Sequence, residues 1–374
     1  MRSSVLNIMD FTPRKRATFE KFLVSMAQGL HESGCSVHFI FCGEPVDWFK
    51  EAIAAHATFS CVDGSPLAGR NFLKTLRTVW TLRPAALSFW FLSMFSPFSL
   101  LLARLPRVRH SIFADHISGT VSEKHGLKLL LAKLRGRVAS WCYDVVVSIS
   151  EYNRRRNVSE SFISAGRTKV IYNGVEAGWT GSPEARVSTR SATPYLFYAG
   201  QLIREKGVWT LIRAFSLFLQ GRPGGNIELW LAGEGPEAEG LRSETERLGI
   251  AHDVRFLGQR DDVPELMAGA AASVIPSEWP EAFGLTAAEA MASGKPVIVS
   301  DAGALPEVVG DCGMIFPKGD ARELAALLAK AADPHADLAE MTARARSRVQ
   351  QVFSLDRMAE DYIELFQHVL NGAR

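Results

Sequence analysis

A chain of 374 residues, 47% hydrophobic and 22% charged, is long enough for two domains of ordinary size and too apolar to be disordered. Its net charge of +2 divides unevenly: residues 1–180 hold 23 Lys and Arg against 13 Asp and Glu, net +10, and the remainder holds 19 against 27, net −8. Cys35, Cys42, Cys61, Cys142 and Cys312 are odd in number and irregular in spacing, which gives neither a disulfide framework nor a zinc site and fits a reducing cytosol.

From the start, Met1-Arg-Ser-Ser-Val-Leu-Asn-Ile-Met9 has too short an apolar run for a signal peptide and is followed by Arg14-Lys15-Arg16. Val5–Met9, Val37–Phe41, Ala86–Leu92, Ser111–Ala114, Val145–Ser148 and Lys169–Tyr172 read as strands, and Phe19–His31 as a helix ending before Gly34. The uncharged run Ala85–Ala103 approaches membrane-spanning length, but Pro97 and its serines favour a strand, a loop and a helix. Arg104, Arg107, Arg109, Lys124, Lys128, Lys133, Arg135 and Arg137 flank that run, with Leu127, Leu129, Leu130, Leu131 and Leu134 among them, a composition suited to a surface-associated helix. The basic first half points to an anionic partner, either a phosphorylated acceptor or an anionic membrane surface; uneven surface decoration is the plainer alternative.

Residues 178–193 are rich in Gly, Ser, Thr and Pro and read as a linker. Beyond it the alternation restarts. Tyr195–Tyr198, Glu228–Leu231, Val254–Leu257, Ala272–Ile275 and Pro296–Ser300 are expected strands; Val208–Leu219, Pro236–Leu248 and Val263–Ala268 are expected helices; Leu355–Leu370 is amphipathic. Strands alternating with helices imply a parallel sheet covered on both faces. The fold class is therefore α/β, with two doubly wound, Rossmann-like domains in tandem and a ligand cleft at the carboxyl ends of the strands, between the domains.

Three loops and one longer stretch carry the chemistry. Tyr198-Ala-Gly-Gln-Leu-Ile-Arg-Glu-Lys-Gly207 leads a strand through Gly200 into a loop whose Lys206 has the reach to meet a diphosphate. Leu231-Ala-Gly-Glu-Gly-Pro-Glu237 lacks the full dinucleotide fingerprint, and Pro236 is expected to open a helix. Phe256-Leu-Gly-Gln-Arg-Asp-Asp-Val-Pro264 gives a strand end, with Asp261 or Asp262 as a helix cap. Pro276-Ser-Glu-Trp-Pro-Glu-Ala-Phe-Gly-Leu-Thr-Ala-Ala-Glu-Ala-Met-Ala-Ser-Gly-Lys-Pro296 places Glu281 on a Pro-broken loop and Glu289 on an Ala-rich helix. The helix start lies between them at Phe283-Gly284-Leu285-Thr286. Two carboxylates around a helix N-terminus suit a ligand with hydroxyls at both ends and phosphate in the middle, as in a sugar nucleotide.

This stretch, with Asp301-Ala-Gly-Ala-Leu-Pro-Glu-Val-Val309 after it, closely resembles the Glu-x7-Glu signature of retaining glycosyltransferases of family 4, which have the two-domain glycosyltransferase-B (GT-B) fold. The resemblance covers essentially the whole chain, strongest over Tyr195–Val309 and weakest over Met1–Val108. It implies an acceptor-side domain over residues 1–177, the linker, a nucleotide-sugar domain over 194–352, and a segment 353–374 that crosses back to the first domain. It further implies that Lys206 grips the donor diphosphate, that Glu281 contacts the donor sugar, and that Glu289 accepts hydrogen bonds from the ribose. The N–H groups of Phe283 and Gly284 would meet sugar hydroxyls, those of Leu285 and Thr286 the distal phosphate, and the backbone near Arg260 the nucleobase edge. His116, in Phe113-Ala-Asp-His-Ile-Ser118, falls where the family has a histidine near the donor sugar, to place the sugar or stabilise developing charge. Asn173-Gly174 is a turn at the domain junction.

The chain departs from the family at two places. Gln201 stands where arginine usually follows Gly200, leaving Arg204 to compensate or to stay solvated. The first loop, Asp10 to Thr18, has no glycine but carries Arg14, Lys15 and Arg16, which bind donor phosphate or an anionic acceptor, or are simply solvated. The expected activity is metal-independent, retaining transfer of a sugar from a nucleotide-diphosphate sugar to a glycan or lipid-linked, anionic acceptor. No cofactor and no nucleic acid are expected. The expected place is the cytoplasm, with peripheral contact on the inner face of an anionic membrane. The rival readings are a sugar-nucleotide epimerase of the same fold, a non-catalytic binding subunit and, on weaker grounds, a glycan phosphorylase.

Overall fold

The computed structural model of the chain describes residues 3–117, 125–176, 193–221 and 226–372. Lys124 and, apart from Thr193, the segment read as a linker lie outside them. The described residues divide into two compact units: residues 3–117, 125–174 and 355–372 form one, and 175–176, 193–221 and 226–354 the other.

The first unit is built on a seven-stranded parallel sheet. Its strands are β1 (Ser4–Met9), β2 (Ser36–Phe41), β3 (Ala57–Cys61), β4 (Ala86–Trp90), β5 (His110–Asp115), β6 (Val145–Ser148) and β7 (Thr168–Val170), in the order β3-β2-β1-β4-β5-β6-β7. Alternation within a strand assigns its side chains to opposite faces. Val5, Met9, Ala86 and Trp90 pack with α1 (Thr18–Glu32), α2 (Asp47–Ile53) and the last helix of the chain. Leu6, Ile8, Leu87 and Phe89 pack with α3 (Gly69–Leu82), α4 (Pro97–Ala103) and α5 (Gly126–Cys142). A sheet buried on both faces explains why these strands read as near-continuous apolar runs. α6 (Glu151–Ser159) follows β6, its N-terminus capped by the Ser150 hydroxyl, which accepts from the Asn153 N–H.

Two sequence expectations change here. The strand expected over Ala86–Leu92 stops at Trp90, because Phe91 takes a left-handed backbone (φ 58°) and ends the ladder. β3 was not foreseen: Ala57-Thr-Phe-Ser-Cys61 is short, partly polar and lies at the sheet edge. The uncharged run Ala85–Ala103 does resolve into a strand, a turn and a short helix with Pro97 in its first turn. Among the described residues no helix is long and apolar enough to cross a membrane.

The second unit repeats the plan with β8 (Tyr195–Ala199), β9 (Glu228–Ala232), β10 (Val254–Gly258), β11 (Ala272–Ile275), β12 (Val297–Ser300) and β13 (Met314–Phe316). The strand order is β10-β9-β8-β11-β12-β13, all parallel, so the winding reverses between β8 and β11. Helices α7 (Val208–Gln220), α8 (Ala238–Arg247), α9 (Val263–Gly269), α10 (Leu285–Ala292), α11 (Leu305–Val309), α12 (Ala321–Ala331) and α13 (Ala339–Val352) complete it. β13, α11, α12 and α13 were not foreseen. α12 nevertheless has a readable start, since the Asp320 carboxylate accepts from the N–H groups of Arg322 and Glu323.

The first unit's run ends at Gly174, three residues before the expected end at 177, and Val175 belongs to the second unit: its N–H donates to the Phe353 carbonyl (2.8 Å) and it bridges to Ser354. α14 (Leu355–Leu370) belongs to the first unit. It packs on α1, with Ile363 filling the space above Gly29 and the Tyr362 ring 4.8 Å from Trp90 and 5.3 Å from Phe22.

Candidate functional site

In the second unit the loops leaving β8, β9 and β10 are laced together by their backbones. The Gly200 N–H donates to the Ala232 carbonyl (3.0 Å), Gly233 to Gly258 (2.8 Å), and Leu202 to Glu234 (2.9 Å). Gly233 is required where two loops cross: it has φ 142°, and a Cβ there would lie 1.9 Å from the Gly200 carbonyl oxygen. The single-turn helix Arg204–Lys206 then docks on the 276–281 loop, whose Glu278 and Trp279 N–H groups both donate to the Glu205 carbonyl (2.8 and 3.0 Å). Gly207 (φ 69°) permits that docking, since a Cβ would fall 1.8 Å from the Pro276 oxygen.

The consequence is a contact between the two charges the sequence singled out. Lys206 Nζ donates to Glu281 Oε1 at 2.6 Å, and the buried Ser277 hydroxyl donates to the same oxygen at 2.9 Å. Lys206 keeps 31% and Glu281 14% of its side-chain surface exposed. An ammonium has three donors and a carboxylate four acceptor positions, so both groups retain capacity for a ligand. Glu281 is also fixed through its backbone: Ala304 N–H donates to its carbonyl (2.9 Å), and Gly303 (φ 66°) packs so closely that a Cβ would lie 2.4 Å from Glu281 N and O.

The expected helix start is present. α10 begins at Leu285, preceded by Gly284 in the left-handed region (φ 94°), whose carbonyl accepts from Ala287 and Ala288 N–H. No side chain caps this end. The N–H groups of Leu285 and Thr286 have no intrahelical acceptor, as at any helix start, and carry the positive end of the helix dipole. Phe283 is buried, its ring edge-on to Phe353 at 5.4 Å. Glu289 lies one turn into the helix and is half-buried.

Other expected residues take different positions. Gln201 is exposed, its carbonyl held by the Tyr198 hydroxyl at 2.7 Å, and Arg204 is exposed on the same turn as Lys206. The cap expected from Asp261 or Asp262 does not form: Asp262 sits at the cap position of α9, but Arg260 takes its carboxylate in a two-pronged ion pair (2.7 and 2.6 Å). The helix expected from Pro236 starts at Ala238, because the chain is still turning there and the Glu237 N–H donates to the Leu202 carbonyl.

His116 lies in the first unit, just after β5, against the rings of Phe91 (4.7 Å), Trp90 (5.8 Å) and Phe19 (5.9 Å). Its Nε2 is buried without a hydrogen-bond partner, and burial pushes its pKa down to about 4. At neutral pH the imidazole is therefore uncharged and is not a standing cation. Asp115 is a structural group: its carboxylate accepts from Asn157 (2.8 Å), Asn153 (3.2 Å) and the Ile117 N–H (3.2 Å), with Arg156 at 3.7 Å. Arg14, Lys15 and Arg16 are exposed, with the Arg16 guanidinium 5.8 Å from the Trp48 ring.

Residues 184–348 match the family model for glycosyl transferases group 1, and residues 19–179 that for Glycosyltransferase Family 4. The chain belongs to the group 1, family 4 glycosyltransferases. It is 32% identical over 210 residues to a glycogen synthase of Mycobacterium tuberculosis, a match covering 55% of this chain and 49% of that one. The chain thus spans about half the length of the curated relatives it matches. Its GT-B fold is shared by a glycosyltransferase from Rickettsia africae (TM-score 0.79, 17% identity, all of both chains). Anabaena HepE in complex with UDP has the same fold (TM-score 0.76, 22% identity, 98% of this chain and 100% of that one).

Within this candidate site, the sequence reading did not assign Ser277 or Gly303. Ser277 sits inside the quoted Pro276–Pro296 stretch, and its role appears only when Ser300 on β12 is seen donating to its carbonyl. Gly303 lies in the Asp301–Val309 segment, whose packing against Glu281 is a contact between loops that no local pattern reveals.

Proposed function

We propose that the chain transfers a sugar, with retention of anomeric configuration, from a nucleotide-diphosphate sugar to a hydroxyl of a glycan or lipid-linked acceptor. The observation that carries this reading is the contact of Lys206 with Glu281, a residue of the stretch that also holds the uncapped start of α10. Lys206 binds the donor diphosphate, and the N–H groups of Leu285 and Thr286 neutralise the distal phosphate as the leaving group gains charge. Those groups do the work a metal ion does elsewhere, so no metal is needed. Glu281 and the N–H groups of Phe283 and Gly284 hold the sugar, Glu289 the ribose, and the backbone around Arg260 the base.

Neutral His116 is a positioning group for the donor sugar. Substitution occurs on the face of the sugar from which the nucleotide departs. The C–O bond to phosphate breaks, the acceptor oxygen bonds to the anomeric carbon, and the acceptor proton passes to the departing phosphate oxygen. HepE's complex with UDP supports a nucleoside diphosphate as the leaving group. The five unpaired thiols support a cytoplasmic site of action.

The test is incubation with nucleotide-diphosphate sugars and a panel of glycan and lipid-linked acceptors in the presence of a chelator. Acceptor-dependent release of nucleoside diphosphate, with a product of unchanged anomeric configuration by NMR, is the expected result. Conversion of the donor without acceptor would make the chain an epimerase, and binding without turnover would make it a binding subunit.

A further inference from the structure

α5 has an unusual distribution of apolar residues. Inward it buries only Gly136, Ala139 and Cys142, all in its C-terminal half. None of its first ten residues is buried. Outward, Leu127, Leu130, Leu131, Leu134, Val138 and Trp141 recur at helical spacing and are 70, 63, 50, 56, 39 and 63% exposed. A single exposed leucine is ordinary; a stripe of six large apolar residues along one helix calls for a partner.

The stripe extends beyond α5. α4 touches α5 and α3 touches α4, and these helices expose Phe98, Leu101, Leu73 and Trp80 in turn. Eleven of the sixteen exposed large hydrophobics among the described residues lie on these three helices, so the exposure is concentrated rather than scattered. The three helices carry seven Lys and Arg and no Asp or Glu. Two of the exposed indoles are covered by guanidinium groups of the adjoining loop, Arg104 at 4.1 Å from Trp141 and Arg107 at 3.4 Å from Trp80. Long cationic side chains lying along aromatic and leucine surface suit the boundary between headgroups and acyl chains.

We propose that the outer face of α3, α4 and α5 docks on an anionic lipid bilayer, its leucines and tryptophans entering the interface and its cations meeting lipid phosphates. Charge selects this occupant. A second copy presenting the same face would set seven cations against seven, and a nucleic acid would leave the leucine stripe in water. The surface stands whether or not the chain transfers sugar.

Vesicle flotation of the full chain tests this, with phosphatidylcholine vesicles and vesicles that also contain phosphatidylglycerol, at low and high salt. The chain is expected to float with the anionic vesicles at low salt and to be released by high salt. Leu130→Glu/Leu134→Glu, at exposed positions that leave the thermal midpoint unchanged, is expected to weaken partitioning at least about tenfold. Removing Lys128, Lys133 and Arg137 as glutamines is expected to cost about fivefold per charge. Absence of flotation with anionic vesicles at low salt would overturn the proposal, as would undiminished flotation of the leucine variant. Self-association abolished by that variant, without flotation, would assign the face to a second copy.

Discussion

Lys206 Nζ lies 2.6 Å from Glu281 Oε1, although 75 positions separate the two residues. The contact exists because Gly207 lets the Arg204–Lys206 turn sit against Pro276, and because Gly303 and Ser277 hold Glu281 from its other sides. A cation and a carboxylate held this way form a charged pair with spare donors and acceptors next in the chain to an uncapped helix start.

Lys206→Ala is expected to cost about 2–5 kcal/mol of nucleoside-diphosphate affinity, the scale for losing one partner of a desolvated charge pair. Its effect on folding stability should be about 1 kcal/mol or less, because the Lys206–Glu281 pair is partly solvated. Calorimetric titration with the donor nucleotide, beside denaturant unfolding, separates the two. A loss confined to acceptor affinity would contradict the assignment.

Gly303→Ala tests how Glu281 is held. The added methyl meets Glu281 backbone atoms in a left-handed conformation that disfavours alanine, and about 1–3 kcal/mol of stability should be lost along with donor affinity. Gly249→Ala is the control, since Gly249 has a similar φ (71°) with open space around it. Equal costs at both positions would mean that packing on Glu281 does not matter.

The buried imidazole of His116 makes stability depend on pH. Its pKa is about 4 in the folded chain and about 6.5 when unfolded, so the unfolded chain takes up the proton first as pH falls. The folded state is unaffected above pH about 6.5 and loses up to about 3 kcal/mol by pH about 4. His38, also lowered to about 4 by burial, adds a similar slope. In His116→Phe the loss between those pH values should be visibly smaller. An identical pH profile would show that the imidazole is not held neutral by burial.

Most of the architecture was legible from the residues. Both sheets announce themselves as apolar runs, because each is buried on two faces, and α14 shows its period over Leu355–Leu370. β3 and β13 were not legible: one is a partly polar edge strand and the other has only three residues. In the candidate site the reactive side chains could be named but their supports could not. Lys206, Glu281 and the start of α10 sit in local motifs, whereas the packing of Gly303 on Glu281 and the Ser300–Ser277 bond join separate loops. The missing Asp262 cap shows the same limit, since Arg260 competes for that carboxylate.

The most direct measurement is a thermal-shift panel of UDP, GDP, ADP, CMP and their sugar conjugates on the native chain and on Glu289→Ala. One nucleotide and its sugar conjugates are expected to raise the melting temperature of the native chain and leave that of the variant unmoved, because ligand bound only to the folded state stabilises it by mass action. No shift with any nucleotide, or equal shifts in both proteins, would contradict a donor site built around Glu289.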